Sequence, residues 1–245
     1  MPERLKLIRR IDTLALNSPG YAVLKGWAPD TTGLAERCSA LKKVVPIFNT
    51  PENDYKRQQV VVYDNDDKTN PFQVHARIPK QLRAWLKCVI EKVHDELSTW
   101  GSSVHHYVGE ATVLRSEPGC RAQMAHCDYV PTPALLSTTD ATVPLLFLVA
   151  LQDNTTFDVW PQSHRLVRRA YYAKKPIGRS RIVLDKGDAV LFRGDLVHAG
   201  SDFEASNTRV HFFIDSTAVK RPKDQTWTVS DLAPPAIAAC IDEHI

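Results

Sequence analysis

Five cysteines, Cys38, Cys88, Cys120, Cys127 and Cys240, are scattered through the 245 residues with no C-x-x-C spacing. That odd, dispersed set argues against both a disulfide framework and a zinc ribbon. No apolar run approaches the roughly 20 residues of a membrane-spanning helix, so no membrane partner is expected. The N-terminal stretch MPERLKLIRRI lacks the apolar centre of a secretory signal, which predicts a reducing compartment, cytoplasmic or nuclear. A formal net charge of +3 is too mild to imply nucleic acid by itself. Internal repeats and low-complexity segments are also missing, which argues against solenoids and linkers.

What is present is ordinary globular composition, 43% hydrophobic and 24% charged, enough for a sizeable core. The clearest helix is IPKQLRAWLKCVIEKVHDELSTW, where Leu82, Trp85, Leu86, Val89, Ile90, Val93 and Leu97 recur at three- and four-residue spacing. Pro79 suits its first turn and Gly101 its end. GYAVLKGW reads as a short β run. DTTGLAERCSALKKV reads as a second helix, with Asp30, Thr31 or Thr32 available as N-cap. Beyond Gly101 the texture changes to short strands, EATVLRS, QMAHCDY, PLLFLVALQ, TTFDVW, RIVLD, DAVLFR and RVHFFID, separated by turn signals such as EPG and DKGD. Seven or eight strands with helices on the N-terminal side predict a β-barrel or sandwich buttressed by helices. One domain over 1–245 is expected, with a helical and β support region over 1–104, a strand core over 105–217 and a tail over 218–245.

Within QMAHCDY, His126 and Asp128 are spaced i, i+2, which on a strand places them on one face and Cys127 on the other. Taken alone, this pair is as consistent with a hydrogen-bonded inner-face pair as with metal ligands. KGDAVLFRGDLVHAGS supplies a further candidate, His198, and the strand NTRVHFFID places Arg209, His211 and Phe213 on the face opposite Val210, Phe212 and Ile214. An arginine inside a barrel is costly unless paired, and a planar guanidinium holds a carboxylate by two parallel hydrogen bonds.

His126, Asp128, His198 and Arg209, in that order and on strands, resemble the Fe(II)/2-oxoglutarate-dependent dioxygenases. WPQSHR and GDAVLFRGDLVHAGSDFEASNTRVHFFID resemble the phytanoyl-CoA dioxygenase-like branch, and VLRSEPGCRAQMAHCDY is similar to the prolyl-hydroxylase-like members. The resemblance covers roughly Tyr107 to Ser216. It implies an α+β, mainly β fold, a double-stranded β-helix (jelly-roll) barrel buttressed by N-terminal helices. It further implies Fe(II) held by His126, Asp128 and His198, with three adjacent positions left open. 2-Oxoglutarate and O₂ would be co-substrates, with Arg209 on the distal carboxylate. The implied activity is hydroxylation, or oxidative demodification, of a substrate C–H bond; a halide finds no vacant ligand position while Asp128 is present. His211 departs from the small hydroxyl residue that many relatives carry two positions after the arginine. It is a candidate for the co-substrate site, as is Ser116 before the EPG turn. Two other classes stay open, a catalytically silent barrel that binds an anionic partner and a cupin-type metalloenzyme that does not use 2-oxoglutarate.

For Gln123, a turn role fits as well as contact with substrate. The stretch RLVRRAYYAKKPIGRSR, Arg165 to Arg181, has seven basic residues, Tyr171 and Tyr172, and no acid. It reads either as a solvated loop or as a polyanion-binding strip, with Arg168, Arg169 and Tyr171 as candidate contacts. On the second reading the substrate is anionic: a nucleic acid, a nucleotide, a CoA thioester or a peptide.

Overall fold

The computed structural model describes residues 19–41, 45–46, 56–67, 71–72, 78–99, 105–130, 132–168, 178–221 and 227–228. In chain order the elements are β1 (Tyr21–Leu24), α1 (Leu34–Ser39), β2 (Val45–Pro46), β3 (Arg57–Asp64) and α2 (Lys80–Thr99). There follow β4 (His106–Ser116), β5 (His126–Cys127), the single turn α3 (Pro133–Leu136), β6 (Leu145–Ala150), β7 (Thr155–Val159) and α4 (Ser163–Arg168). The chain continues through β8 (Ser180–Leu184), β9 (Ala189–Arg193), β10 (His198–Gly200), β11 (Asn207–Ser216) and β12 (Trp227–Thr228).

The strands form two sheets, a larger one ordered β1-β9-β6-β11-β4-β3-β2 and a smaller one ordered β12-β5-β10-β7-β8. Every described pairing is antiparallel. This is the expected double-stranded β-helix. Its burial follows from side-chain period. All seven apolar positions read from α2 are buried, and the helix packs on β4. On β11 the residues Val210, Phe212 and Ile214 face that same apolar core together with Leu82, Leu86 and Val89. The alternate residues Asn207, Arg209 and His211 are also buried, in the space between the sheets. One face of β11 therefore builds the core and the other builds a polar interior.

Four local expectations need correcting. The N-cap of α1 is Gly33 at φ 69°, with no side-chain cap. Asp30 instead accepts hydrogen bonds from the Thr32 amide (2.9 Å) and hydroxyl (2.6 Å), closing a local turn that competes with a cap. The segment RQQVVVYD, not read as a strand, is β3, and with β1 and β2 it brings three N-terminal strands into the larger sheet. The strand expected over EATVLRS begins four residues earlier, at the buried His106, whose Nε2 lies 2.7 Å from the Val143 carbonyl oxygen. Finally, QMAHCDY is not a continuous strand: β5 is only two residues long, and Asp128 follows it in a bend.

Candidate metal centre

His126 and His198 are direct cross-strand partners on β5 and β10, the smaller sheet's neighbouring strands. Opposed residues of an antiparallel pair place their side chains close together on one face, and the two imidazole centroids are 4.5 Å apart. The bend after β5 turns the Asp128 carboxylate between them, with Oδ1 3.6 Å from His126 Nε2 and Oδ2 3.6 Å from His198 Nε2. Candidate ligand atoms of the three residues all lie within 4.8 Å of one another, the one such group found among the described residues. The convergence comes from the bend rather than from strand alternation.

Hydrogen bonds settle which imidazole nitrogens are available. His126 Nδ1 lies 2.8 Å from the Met124 carbonyl oxygen, and His198 Nδ1 lies 2.9 Å from that of Leu196. A carbonyl can only accept, so each Nδ1 carries a proton, and Nε2, which faces Asp128, is the nitrogen left to bind a metal. Burial and the neighbouring His198 push His126 down to about 4, which keeps it neutral. Burial alone would raise the Asp128 carboxyl, but His198, His211 and His126 around it hold it below the ordinary carboxylate range. Two imidazole Nε2 atoms and one ionised carboxylate are a donor set that fits a divalent transition metal. Behind them, the Cys127 thiol is buried and donates to the Asp195 carbonyl oxygen at 3.7 Å.

Arg209 is 2% exposed, and its Nη1 donates to Ser116 Oγ at 3.1 Å. The Phe203 ring covers the guanidinium at 5.0 Å. No carboxylate of the described residues pairs with it. Burial and the nearby charge of Arg57 push it down to about 9, so its positive charge is held at a cost that an anion would relieve.

Arg57, which sequence reasoning missed, stands across from Ser116 on β3. It is 1% exposed, and Nη2 donates to the carbonyl oxygens of Arg121 (3.0 Å) and Ser201 (2.6 Å). Its Nε and Nη1 have no hydrogen-bond partner among the described residues. Nη1 occupies the space where a side chain at position 200 would begin, 2.5 Å from an ideal Cβ on Gly200. Gly200 follows His198 on the same strand face, so Arg57 reaches the interior beside the histidine pair because residue 200 has no side chain. Gln123 accepts from the Gly200 amide at 2.8 Å through Oε1 and fastens the chain before β5 to β10.

His211 is buried with Nε2 3.7 Å from Asp128 Oδ2, so the structure brings it to the histidine–aspartate group rather than to Ser116. At the described end of the basic stretch, Arg181 makes a bidentate pair with Asp158 (2.8 and 3.1 Å) and also binds Asp202 (2.6 Å). Arg179 lies 3.7 Å from Asp158. The side chain of Arg168, and Arg169 and Tyr171 entirely, lie outside the described residues.

No family model matches the chain. The dioxygenase trt7 of Aspergillus terreus is 32% identical over 110 residues, a match spanning 42% of this chain and 38% of that protein's length. Among solved structures, the non-heme alpha ketoglutarate dependent epimerase SnoN superposes with a TM-score of 0.61 at 16% identity, covering 90% of this chain and 85% of its own. HygX from Streptomyces hygroscopicus, solved with nickel and 2-oxoglutarate, gives 0.54 at 16% identity over 89% of this chain and 87% of its own. A Pseudomonas putida prolyl-4-hydroxylase gives 0.53 at 10% identity over 86% of this chain and 97% of its own. The chain shares the jelly-roll fold of these solved structures.

Proposed function

We propose that this protein is an Fe(II)- and 2-oxoglutarate-dependent dioxygenase that hydroxylates a substrate C–H bond. His126, Asp128 and His198 would hold the metal, and Arg209 would hold the distal carboxylate of 2-oxoglutarate. The observation that carries the reading is Arg209 itself, a buried guanidinium without a carboxylate in the same interior as an ion-competent His–Asp–His group. Bound iron would supply O₂ activation coupled to oxidative decarboxylation of 2-oxoglutarate to succinate and CO₂.

The chain's own residues have distinct tasks in this reading. Met124 and Leu196 carbonyls hold the two histidines in the ligating tautomer. Asp128 completes the donor set with negative charge, and its presence favours hydroxylation over halogenation. Ser116 steadies the Arg209 fork, while Arg57 adds a second positive charge and three unpartnered N–H donors on Nε and Nη1 to the same interior. Phe157 and Phe192 pack on His198 with ring centroids 5.4 and 4.9 Å away, closing that side to water.

The test is succinate release by purified protein, with Fe(II) and 2-oxoglutarate each omitted in turn, alongside calorimetric titration of 2-oxoglutarate. Arg209→Lys keeps the charge and loses the fork, so the co-substrate KM should rise far more than metal affinity falls. Absence of 2-oxoglutarate binding to the wild-type protein, or an unchanged KM in Arg209→Lys, would defeat the assignment.

A further inference from the structure

Three imidazoles, not two, surround Asp128. His211 Nε2 lies 3.7 Å from Oδ2, against 3.6 Å for each of the other two histidines from the oxygen it faces. Equal distance does not mean equal chemistry. His126 and His198 each have Nδ1 on a backbone carbonyl, which leaves Nε2 as the nitrogen that faces a metal. His211 makes no such bond among the described residues, so nothing forces its proton onto Nδ1, and Nε2 is free to carry it as an N–H donor. The ring is held by its neighbours, stacked on Phe192 at 12° with centroids 6.0 Å apart and set edge-on to Phe213 at 4.7 Å. Its strand fixes it too: β11 lies between β4 and β6 in the larger sheet, whereas Asp128 belongs to a bend with no sheet partners of its own.

We infer that His211 is a positioning residue for the metal centre: its Nε2–H donates to Asp128 Oδ2 and thereby fixes which way the carboxylate presents to a metal. An N–H···O bond spans about 2.9 Å, so closing the contact takes a movement of somewhat less than 1 Å, within reach of a carboxylate carried on a bend. The physical need is specific to this site. Among the described residues Asp128 is the one member of the group whose side chain has no backbone tether, and a carboxylate free to rotate offers a metal either oxygen or both. Partners that orient a ligand in this way generally carry a tenfold to hundredfold share of metal affinity. This inference rests on the metal-binding part of the proposed function and not on its use of 2-oxoglutarate.

Two variants separate donor from ring. His211→Phe keeps an aromatic to pack on Phe192 and Phe213 and removes the donor. His211→Gln gives up the ring and keeps an N–H of similar reach. Co(II) is titrated anaerobically into each purified full-length protein against a chelator of known affinity, and the visible Co(II) spectrum is recorded at saturation, with thermal unfolding of the metal-free proteins as a check on folding. The expected result is Co(II) binding weakened about tenfold or more in His211→Phe with an altered spectrum, and restoration to within about threefold in His211→Gln. Wild-type affinity and spectrum in a folded His211→Phe would overturn the inference, as would a folded His211→Gln no better than the Phe variant. Three coordinated imidazoles counted by pulsed electron paramagnetic resonance on the Cu(II)-loaded wild type would also overturn it, by making His211 a ligand. Wild-type protein that takes Co(II) but not 2-oxoglutarate would sink the proposed activity while leaving the role of His211 to be decided by the variants. Wild-type protein that takes no metal would sink both.

Discussion

Two pairs of buried arginines divide the interior. Arg193 lies between Asp195 (2.9 Å) and Asp140 (2.6 Å), and Arg221 lies between Glu110 and Asp215 (3.2 Å each). Arg57 and Arg209 are at least as deeply buried and have no carboxylate partner among the described residues. The residue type is the same and all four are buried; the surroundings differ. A buried guanidinium that meets two carboxylates is complete within the fold, and its removal strands their charges. One that meets carbonyls and a hydroxyl stays a net cation, which the fold alone does not reward. The first pair therefore serves the architecture, and the second is read as serving a bound anion.

The sharpest way to break this division is Arg193→Met. Asp195 is fully buried, and losing its bidentate partner should destabilise the protein by about 3–5 kcal/mol in denaturant unfolding. Arg221→Met should cost less, on the order of 2 kcal/mol, because Glu110 and Asp215 retain 11% and 12% side-chain exposure and bonds from Thr112 and Tyr129. Gly200→Ala should cost about 1 kcal/mol, since the new methyl meets Arg57 Nη1 and Gln123 Oε1. Its diagnostic signature is weaker 2-oxoglutarate binding in calorimetry. The smallest effect on stability belongs to Arg209→Met, which should leave the ligand-free midpoint within about 0.5 kcal/mol of wild type or raise it. That variant should also lose any stabilisation that saturating 2-oxoglutarate gives the wild type. A loss in Arg209→Met comparable with that in Arg193→Met would erase the division and make Arg209 an architectural residue.

Legibility in the sequence followed the range of the interaction concerned. The helix α2 was readable because its period is local, with Leu82, Leu86, Val89 and Val93 one turn apart. The two faces of β11 were readable for the same reason. β3 was not, because Arg57, Gln58 and Gln59 open it with three polar residues and the apolar run VVVY follows without alternation. Its strand character comes from pairing with β4, a partner that no local pattern announces. Arg57 was lost with it, and its position depends on a glycine missing a side chain far along the chain. His126, Asp128 and His198 were legible as residue types in order. The bend that turns Asp128 was not, since alternation along a longer strand gave the same side-chain face by a different route.

The register of the larger sheet bears on the order in which the molecule can be made. Tyr21 pairs with Phe192 and Leu24 with Ala189, so β1 stays without its neighbour until β9 has been synthesised. His126 likewise waits for His198. A growing chain thus carries β1 unpaired while the residues up to β9 are made, a condition that slows folding and invites pairing with other chains. The centre between β5 and β10 forms only after β10 has been made, so a metal ion held by both histidines would have to be captured after ten of the described strands have left the ribosome.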